Sequence, residues 1–294
     1  MRPRPSYLEL LRALQERLQA VGKPGIEARW ILGHAAGLEG AQLAARLTQG
    51  VPLDVEEAAW AMLKLRLEGY PLQLLLGQAE FFGLRLEVQR GVLIPRPETE
   101  GLVERALGYL SPQAEARVLD VGTGSGAIAL ALKARRPLAQ VWASEISPKA
   151  LELARRNAQR LGLEVTFLLA AYTAGLEGLD LVVSNPPYLP EGYRAVAPPE
   201  LAYEDPQALY AGPEGLDVAR PLLEEAWRAL RPGGWLLLEL APENVHTLAK
   251  EALLRDWQGV RVFPDLTQRP RYLAAQKPLE APEDPTWLLL REEG

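Results

Sequence analysis

The stretch "VLDVGTGSGAIAL", Val118–Leu130, joins a short apolar strand to a helix through three spaced glycines. A strand, a glycine turn and an amphipathic helix form the opening unit of a doubly wound sheet, in which ligands lie beyond the carboxyl ends of the strands. A Cβ atom in such a turn would keep a ligand away from the main-chain amides. We therefore predict that Gly122, Gly124 and Gly126 form a cofactor-binding loop.

The segments on either side of this turn predict the rest of the architecture. Downstream, further short strands are predicted at "QVWAS", "EVTFLL", "LDLVVS", "WLLLEL", "GVRVF" and "RYLAAQ", with helical patterns between most of them. This alternation is typical of an α/β fold with a parallel sheet covered on both faces. Upstream, apolar residues recur at helical spacing from Ser6 to about Gly69, with capping signals at Ser6–Glu9 and Asp54–Glu57.

These patterns divide the chain into four predicted parts. They are a small helical bundle at residues 1–70, a β-hairpin linker around "FFGLRLEV" at 71–98, a sheet domain at 99–278 and a C-terminal tail at 279–294. The tail is partly acidic and punctuated by proline, so we expect it to extend over the surface, with the apolar "WLLL" as a segment that could dock.

Composition excludes several classes of site. The chain has no cysteine and two histidines, His34 and His246, so disulfides and thiolate nucleophiles are excluded and we expect no metal site. The net charge of −6 disfavours a general polyanion binder. No apolar run reaches the roughly 18 residues of a membrane helix. Glu9, Arg12 and Glu16 interrupt the core of a signal peptide, so we expect a cytoplasmic protein without a membrane anchor.

The glycine turn fits two cofactor classes. Gly122, Gly124 and Ala127 match the dinucleotide fingerprint, and Glu145 lies near the expected distance for a carboxylate that binds ribose. Asp120 favours the other class, because a carboxylate before the turn would repel a pyrophosphate but suit the ammonium and sulfonium charges of S-adenosylmethionine. We predict S-adenosylmethionine, with a nicotinamide dinucleotide as the alternative.

The stretch "VVSNPPYLP", Val182–Pro190, ends a predicted strand in an asparagine and two prolines, at the same edge of the sheet as the glycine turn. Pro186 and Pro187 have fixed φ angles and no N–H groups, so the loop is stiff and offers carbonyl acceptors. The Asn185 side-chain oxygen and these carbonyls form an acceptor rim. This rim suits the two hydrogens of a planar NH2 group. Tyr188 is expected to stack against the acceptor, and no strong general base is required.

These residues resemble the release-factor glutamine methyltransferases, which methylate the glutamine side-chain amide in the Gly-Gly-Gln motif of peptide-chain release factors. The resemblance extends from about Pro71 to Tyr272 and is carried by "PLQLLLG", "FFG", "VLIPRPETE", "VLDVGTGSGAIALAL", "ALELARRNA", "DLVVSNPPYL", "YEDPQALYAGPEGLD" and "LRPGGWLLLEL". The motif "NPPY" is shared with amino-methyltransferases of DNA and RNA. The motif "IPRPETE" is more specific, because related enzymes that act on a ribosomal-protein glutamine resemble it less well.

The resemblance implies a Rossmann-like, seven-stranded class I methyltransferase sheet whose last strand is antiparallel, and a helical domain that helps to bind the release factor. Carried over by position, the methionine part of the cofactor would contact Gly122, Thr123, Gly124, Ser125 and Gly126. Asp120 and Asn185 would also lie at the cofactor, and Glu145 would bind its ribose. The substrate amide would be held by Asn185, Pro186, Pro187 and Tyr188.

Some positions depart from the family pattern. In the loop after the third strand the family usually has an acidic residue followed by an aromatic one, and this chain has Ala171 followed by Tyr172. We expect Tyr172 to pack on the adenine. The segment after Glu239 lacks the usual glycine and glutamine. The wall of the active site between the domains is assigned to Phe81–Gly83, Arg96 and Glu98.

Three other functions compete with protein-glutamine methylation. An amino-methyltransferase acting on adenine or guanine in DNA or RNA would share the "NPPY" rim, but it would favour a basic substrate domain, and the N-terminal bundle mixes both charge signs. We therefore expect a release factor as the partner and no direct binding of nucleic acid. The remaining alternatives are a nicotinamide oxidoreductase and a protein that binds S-adenosylmethionine without transferring its methyl group.

Overall fold

The computed structural model describes residues 4–280, 285 and 287. The chain divides into a helical unit, Met1–Gln78 with Pro198–Tyr203, and a sheet unit, Ala79–Ala197 with Glu204–Gly294. The segment Pro198–Tyr203 belongs to the helical unit although it lies far along the chain, which no sequence pattern indicated. The boundaries predicted after residues 70, 98 and 278 stay a prediction.

The helical unit places its apolar side chains in one core. Its helices are α1 (Tyr7–Gln19), α2 (Glu27–Ala36), α3 (Gly40–Ala45), α4 (Leu53–Leu67) and α5 (Leu72–Leu76). Leu14, Ile31 and Leu63, from three different helices, are buried together in this core. The helical spacing of the apolar residues therefore produces a bundle, as the sequence predicts.

The two predicted helix caps have different outcomes. At α1 the capping box is confirmed, because the Ser6 hydroxyl accepts from the Glu9 N–H and the Glu9 carboxylate accepts from the Ser6 N–H. The cap predicted at Asp54 is wrong. Helix α4 begins at Leu53, directly after Pro52, so Asp54 lies inside the first turn. A carboxylate there still interacts favourably with the helix dipole.

A buried arginine organises the polar contacts of the helical unit. Arg66 on α4 pairs with Glu27 on α2 through two hydrogen bonds of 2.6 and 3.0 Å. The same guanidinium donates to Glu200 at 3.0 Å, and Lys23 donates to Glu200 at 2.9 Å. Because Glu200 lies in the segment Pro198–Tyr203, these charges hold that segment within the unit.

The sheet unit contains a seven-stranded sheet in its described residues, in the order β5-β4-β3-β6-β7-β9-β8. The strands are β3 (Arg117–Val121), β4 (Gln140–Glu145), β5 (Thr166–Leu169), β6 (Leu179–Ser184), β7 (Leu230–Glu239), β8 (Gln258–Pro264) and β9 (Pro270–Gln276). Strand β9 runs antiparallel to both of its neighbours, and the other pairings are parallel. The predicted α/β fold with an antiparallel last strand is confirmed.

Helices cover both faces of this sheet. They are α6 (Pro97–Gly108), α7 (Ala127–Arg135), α8 (Pro148–Leu161), α9 (Pro206–Leu209), α10 (Ala219–Ala229) and α11 (Val245–Leu254). Successive residues of β3 enter different cores: Val118 packs with α6 and α7, whereas Leu119 packs with α10 and α11. The central strands β3 and β6 are largely apolar because both of their faces are buried, whereas the edge strand β8 has no buried residue.

The strand register brings distant parts of the chain to one edge. Val121, at the end of β3, lies beside Ser144 of β4 on one side and Ser184 of β6 on the other. Because these strands are parallel, the loops that follow them leave the sheet at the same edge. The glycine turn, Glu145 and Asn185 are therefore neighbours in space although more than 60 residues separate the first from the last.

The predicted hairpin is formed by β1 (Gln78–Phe81) and β2 (Leu84–Glu87). Most of the predicted tail lies outside the described residues, including Leu288–Leu290 of "WLLL". Trp287 is described, and its ring meets Trp227 edge-on with the ring centroids 5.4 Å apart. Across the described part of the chain, the helices are too short or too polar to cross a bilayer.

Replacing the buried arginine tests the electrostatics of the helical unit. We expect Arg66→Met to destabilise the unit by about 3–5 kcal/mol, because it leaves the Glu27 carboxylate buried without its partner. The measurement is the hydrogen exchange of the α2 and α4 amides, which should accelerate about 100-fold or more. Arg17→Met, at an exposed position of α1, is the control. Equal protection in the two variants would contradict this account.

Candidate active site

A cavity lies at the carboxyl edge of the sheet, within the sheet unit. The loops after β3, β4, β5 and β6 contribute to its wall, together with the segment before α6 and the region of α9. Most of the site residues predicted from the sequence line it. They are Gly122, Thr123, Gly124, Ser125, Glu145, Tyr172, Asn185 and Pro187.

Two glycines of the turn expose bare backbone to the cavity. Gly122 and Gly124 have φ angles of 69° and 56°, and a Cβ atom added to either would meet nothing within 4 Å. Gly126 has a different role: it does not line the cavity, and its Cβ would come within 3.1 Å of Leu130 and 3.2 Å of Ala154. The first two glycines therefore leave room for a ligand, and the third allows close packing of helices.

Glu145 ends β4 and holds the glycine turn in place. One of its carboxylate oxygens accepts from the Gly124 N–H at 2.9 Å, and the other accepts from the Ser147 N–H at 3.0 Å. The side chain is 9% exposed and lines the cavity. A carboxylate held by two backbone amides has its orientation fixed, and each oxygen keeps a further acceptor position.

Asp120 lies beneath the turn, fully buried, and does not line the cavity. Its Oδ2 atom accepts from the Thr123 hydroxyl at 2.7 Å and from the Ala129 N–H at 3.1 Å, so it joins the turn to the start of α7. Its Oδ1 atom has no hydrogen-bond partner among the described residues. Burial raises the pKa of Asp120 to about 7, and the nearby Glu145 carboxylate acts in the same direction.

Asn185 follows β6 and presents an acceptor that nothing in the described chain satisfies. Its Nδ2 group donates to the Thr99 hydroxyl at 3.2 Å, while its buried Oδ1 atom has no hydrogen-bond partner there. The next two residues, Pro186 and Pro187, contribute no N–H groups. Pro187 lines the cavity and Pro186 is buried behind it.

Tyr188 does not line the cavity. Its hydroxyl lies 3.4 Å from a carboxylate oxygen of Glu239, and its carbonyl accepts from the Asn244 side chain at 3.1 Å. Burial raises the pKa of the Tyr188 hydroxyl, and the Glu239 charge adds to this effect, so the hydroxyl keeps its proton and acts as a donor. These contacts anchor the end of the "NPPY" loop, and the predicted stacking on the acceptor stays a prediction.

The residues assigned to the wall of the site separate into two groups. Phe81 and Arg96 line the cavity, whereas Glu98 is exposed and does not. Arg96 pairs with the buried carboxylate of Glu204, which also accepts from the Ile94 N–H at 3.1 Å. This contact joins the segment before α6 to the segment before α9.

The loop after β5 places Ala171 and Tyr172 in the cavity wall. Tyr172 has a φ angle of 49°, and its carbonyl accepts from the Ser144 hydroxyl at 2.6 Å. A left-handed conformation is unusual for a tyrosine, and the contact with Ser144 holds it there. The predicted contact between Tyr172 and adenine stays a prediction.

Sequence reasoning missed several residues of the site. Thr99 lines the cavity and binds Asn185, but we assigned it no role although it lies within the narrow motif "IPRPETE". Asp205 and Gln207 also line the cavity, within the quoted "YEDPQALYAGPEGLD". The altered segment after Glu239 supplies Asn244, whose side chain clamps the Tyr188 carbonyl. The sequence motifs drew attention to these stretches, but the contacts of the individual side chains are visible only in the folded structure.

A solved methyltransferase from Pyrococcus furiosus has a similar fold. Its TM-score is 0.51 at 22% sequence identity, and the alignment covers 67% of this chain and 90% of that one. Two family models match separate parts of the sequence: "PrmC N-terminal domain" at residues 9–77 and "Methyltransferase small domain" at residues 104–197. The first match lies in the helical unit and the second in the sheet unit.

Curated relatives match nearly the whole chain. A release factor glutamine methyltransferase of Deinococcus radiodurans is 47% identical over 272 residues, covering 92% of this chain and 98% of the relative. The enzyme of the same name from Moorella thermoacetica is 41% identical over 270 residues, covering 89% and 95%. Similarity of this extent confirms the resemblance predicted from the motifs, and the chain belongs to the release factor glutamine methyltransferase family.

Proposed function

We propose that this enzyme transfers a methyl group from S-adenosylmethionine to the side-chain amide nitrogen of the glutamine in the Gly-Gly-Gln motif of peptide-chain release factors. The observation that carries the proposal is the Oδ1 atom of Asn185, buried without a hydrogen-bond partner in the described chain, on a residue that lines the same cavity as the glycine turn. A buried acceptor of this kind needs an N–H donor. A glutamine amide supplies one.

The residues present fit S-adenosylmethionine, whose methyl group is electrophilic because its sulfur is positively charged. Gly122 and Gly124 leave open space above bare backbone, which admits the methionine part. Glu145 keeps acceptor positions for the ribose hydroxyls, and Tyr172 lies in the wall where we place the adenine. Asp120 lies behind the turn, and in its ionised form it adds negative charge that suits the cation.

The acceptor nitrogen is activated by position and electrostatics. An amide nitrogen is a poor nucleophile because its lone pair is delocalised into the carbonyl group. Asn185 Oδ1 and the Pro186 carbonyl each accept one amide hydrogen in our proposal, which fixes the direction of the nitrogen and favours the positive charge that develops on it. The nitrogen would gain the methyl group while the bond between that group and the sulfur breaks, which leaves S-adenosylhomocysteine, and one amide proton would pass to solvent. The stiffness of Pro186–Pro187 keeps both acceptors in place.

The partner and the compartment follow from the same proposal. Relatives carry the name of release factor glutamine methyltransferases, and the helical unit matches the N-terminal model of that family, so we assign release-factor recognition in part to this unit. Direct nucleic acid binding is not part of the proposal, since the chain is acidic overall. Because release factors work in translation, we place the enzyme in the cytoplasm.

A transfer assay tests the substrate. Radiolabelled S-adenosylmethionine is incubated with the enzyme and a purified release factor, beside the release factor in which Gly-Gly-Gln is changed to Gly-Gly-Ala. We expect label on the wild-type factor and none on the variant. DNA and ribosomal RNA are included as competing acceptors, and label confined to them would replace this function with amino-methylation of bases.

The role of the rim is tested by Asn185→Ala. Loss of one fixed acceptor should lower kcat by about 100- to 1000-fold, while the affinity for S-adenosylmethionine stays close to the wild-type value. Calorimetry measures the affinity and single-turnover transfer measures the rate. Glu145→Gln is the reciprocal control, since it should weaken cofactor binding first. Parallel losses of binding and rate in Asn185→Ala would refute the assigned role.

A further inference from the structure

An amide side chain can present either its oxygen or its nitrogen to a ligand, because the two ends have nearly the same shape. In the proposed reaction only the oxygen of Asn185 is useful, since the substrate amide offers hydrogens. Something in the protein must therefore fix which end of Asn185 faces the cavity. The contacts behind Asn185 identify the groups that do so.

The first of these groups is the hydroxyl of Thr99, in the first turn of α6. Thr99 is 4% exposed, and its hydroxyl lies 3.2 Å from Asn185 Nδ2. A hydroxyl alone does not select an amide orientation, because it can donate to an oxygen or accept from a nitrogen. Its choice depends on where its single hydrogen goes.

The second group is the carboxyl of Glu239, at the end of β7, which is fully buried and close enough to the Thr99 hydroxyl for that hydroxyl to lower its pKa. Its Oε1 atom faces the Tyr188 hydroxyl at 3.4 Å, and its Oε2 atom has no assigned partner among the described residues. Burial raises the pKa of Glu239 to about 7, whereas Thr99, Arg271 and Tyr188 favour its charged form. In its ionised form this carboxylate can only accept hydrogen bonds, and its unsatisfied Oε2 atom is then an acceptor for the Thr99 hydrogen.

We propose that Thr99 and Glu239 are positioning residues that fix the orientation of the Asn185 amide. The hydrogen bonds run in one direction, from Asn185 Nδ2 to the Thr99 oxygen and from the Thr99 hydrogen to Glu239. The Asn185 nitrogen is thereby turned away from the substrate position, and its Oδ1 atom is left as the acceptor. This inference rests on the proposed function, because it assigns a purpose to the orientation of the rim.

The same carboxyl also serves the other end of the loop. Tyr188 donates to Glu239 and is held at its carbonyl by Asn244, so the residues on both sides of the two prolines are tied to one buried group. Glu239 ends β7, which pairs with β6 up to Ser184 and Leu238. The position of the acceptor rim is therefore fixed by the sheet and not by a surface loop.

Two substitutions of Thr99 separate the hydroxyl from simple packing. Thr99→Val keeps the shape and removes the hydroxyl, so kcat for methylation of the release factor should fall by about 10- to 100-fold, with little change in KM for S-adenosylmethionine. Thr99→Ser keeps the hydroxyl and removes a methyl group, so most of the rate should return. Glu239→Gln, which can donate to Thr99 and reverse the chain of hydrogen bonds, should resemble Thr99→Val.

Two controls keep the result interpretable. Thr267→Val removes a hydroxyl that donates to Asp265 at 2.6 Å but does not line the cavity, and it should leave kcat unchanged. Calorimetric affinity for S-adenosylhomocysteine should be equal in all variants, which shows that they fold and bind. If the wild type methylates the release factor and Thr99→Val is as fast, or if Thr99→Ser is the slower of the two, the positioning role is overturned. Absence of transfer by the wild type would instead overturn the proposed function.

Discussion

The proposed active site depends on one constraint: a hydrogen-bond acceptor must be held rigidly where a weak nucleophile is to react. Asn185 meets this constraint because it directly follows the central strand β6 and precedes two prolines. Its Oδ1 atom is buried without a hydrogen-bond partner among the residues that the structure describes. An unsatisfied buried acceptor is unfavourable in the free protein, and in the proposed complex an N–H group of the substrate amide satisfies it.

The glycine-turn side of the cavity also depends on backbone that is held in a fixed conformation. The glycine turn would be mobile by itself, since glycine has no side chain to restrict the φ and ψ angles of the backbone. The Glu145 carboxylate ties it to β4 through Gly124, and the buried Asp120 ties it to α7 through Thr123 and Ala129. The proposed cofactor side and the proposed acceptor side are both anchored to neighbouring strands. Their relative position is therefore set by the sheet register, which is rigid.

Sequence reasoning predicted those parts of the molecule that depend on local pattern. The strand endings placed Gly122, Glu145 and Asn185 at one edge, because parallel strands share the direction in which they end. It could not predict contacts made by residues far apart in sequence. Thr99 and Asn185 are 86 positions apart, and Tyr188 and Glu239 are 51 apart. The Asp54 cap failed for a local reason, since Pro52 allowed α4 to begin earlier than the polar residue.

The most direct measurement is the structure of this enzyme with S-adenosylhomocysteine and a peptide containing Gly-Gly-Gln, determined by neutron diffraction or at a resolution that shows amide hydrogens. We expect a glutamine N–H to point at Asn185 Oδ1 with a nitrogen–oxygen distance of about 2.7–3.2 Å. A glutamine whose oxygen accepts from Asn185 Nδ2, or one bound away from the "NPPY" loop, would contradict it.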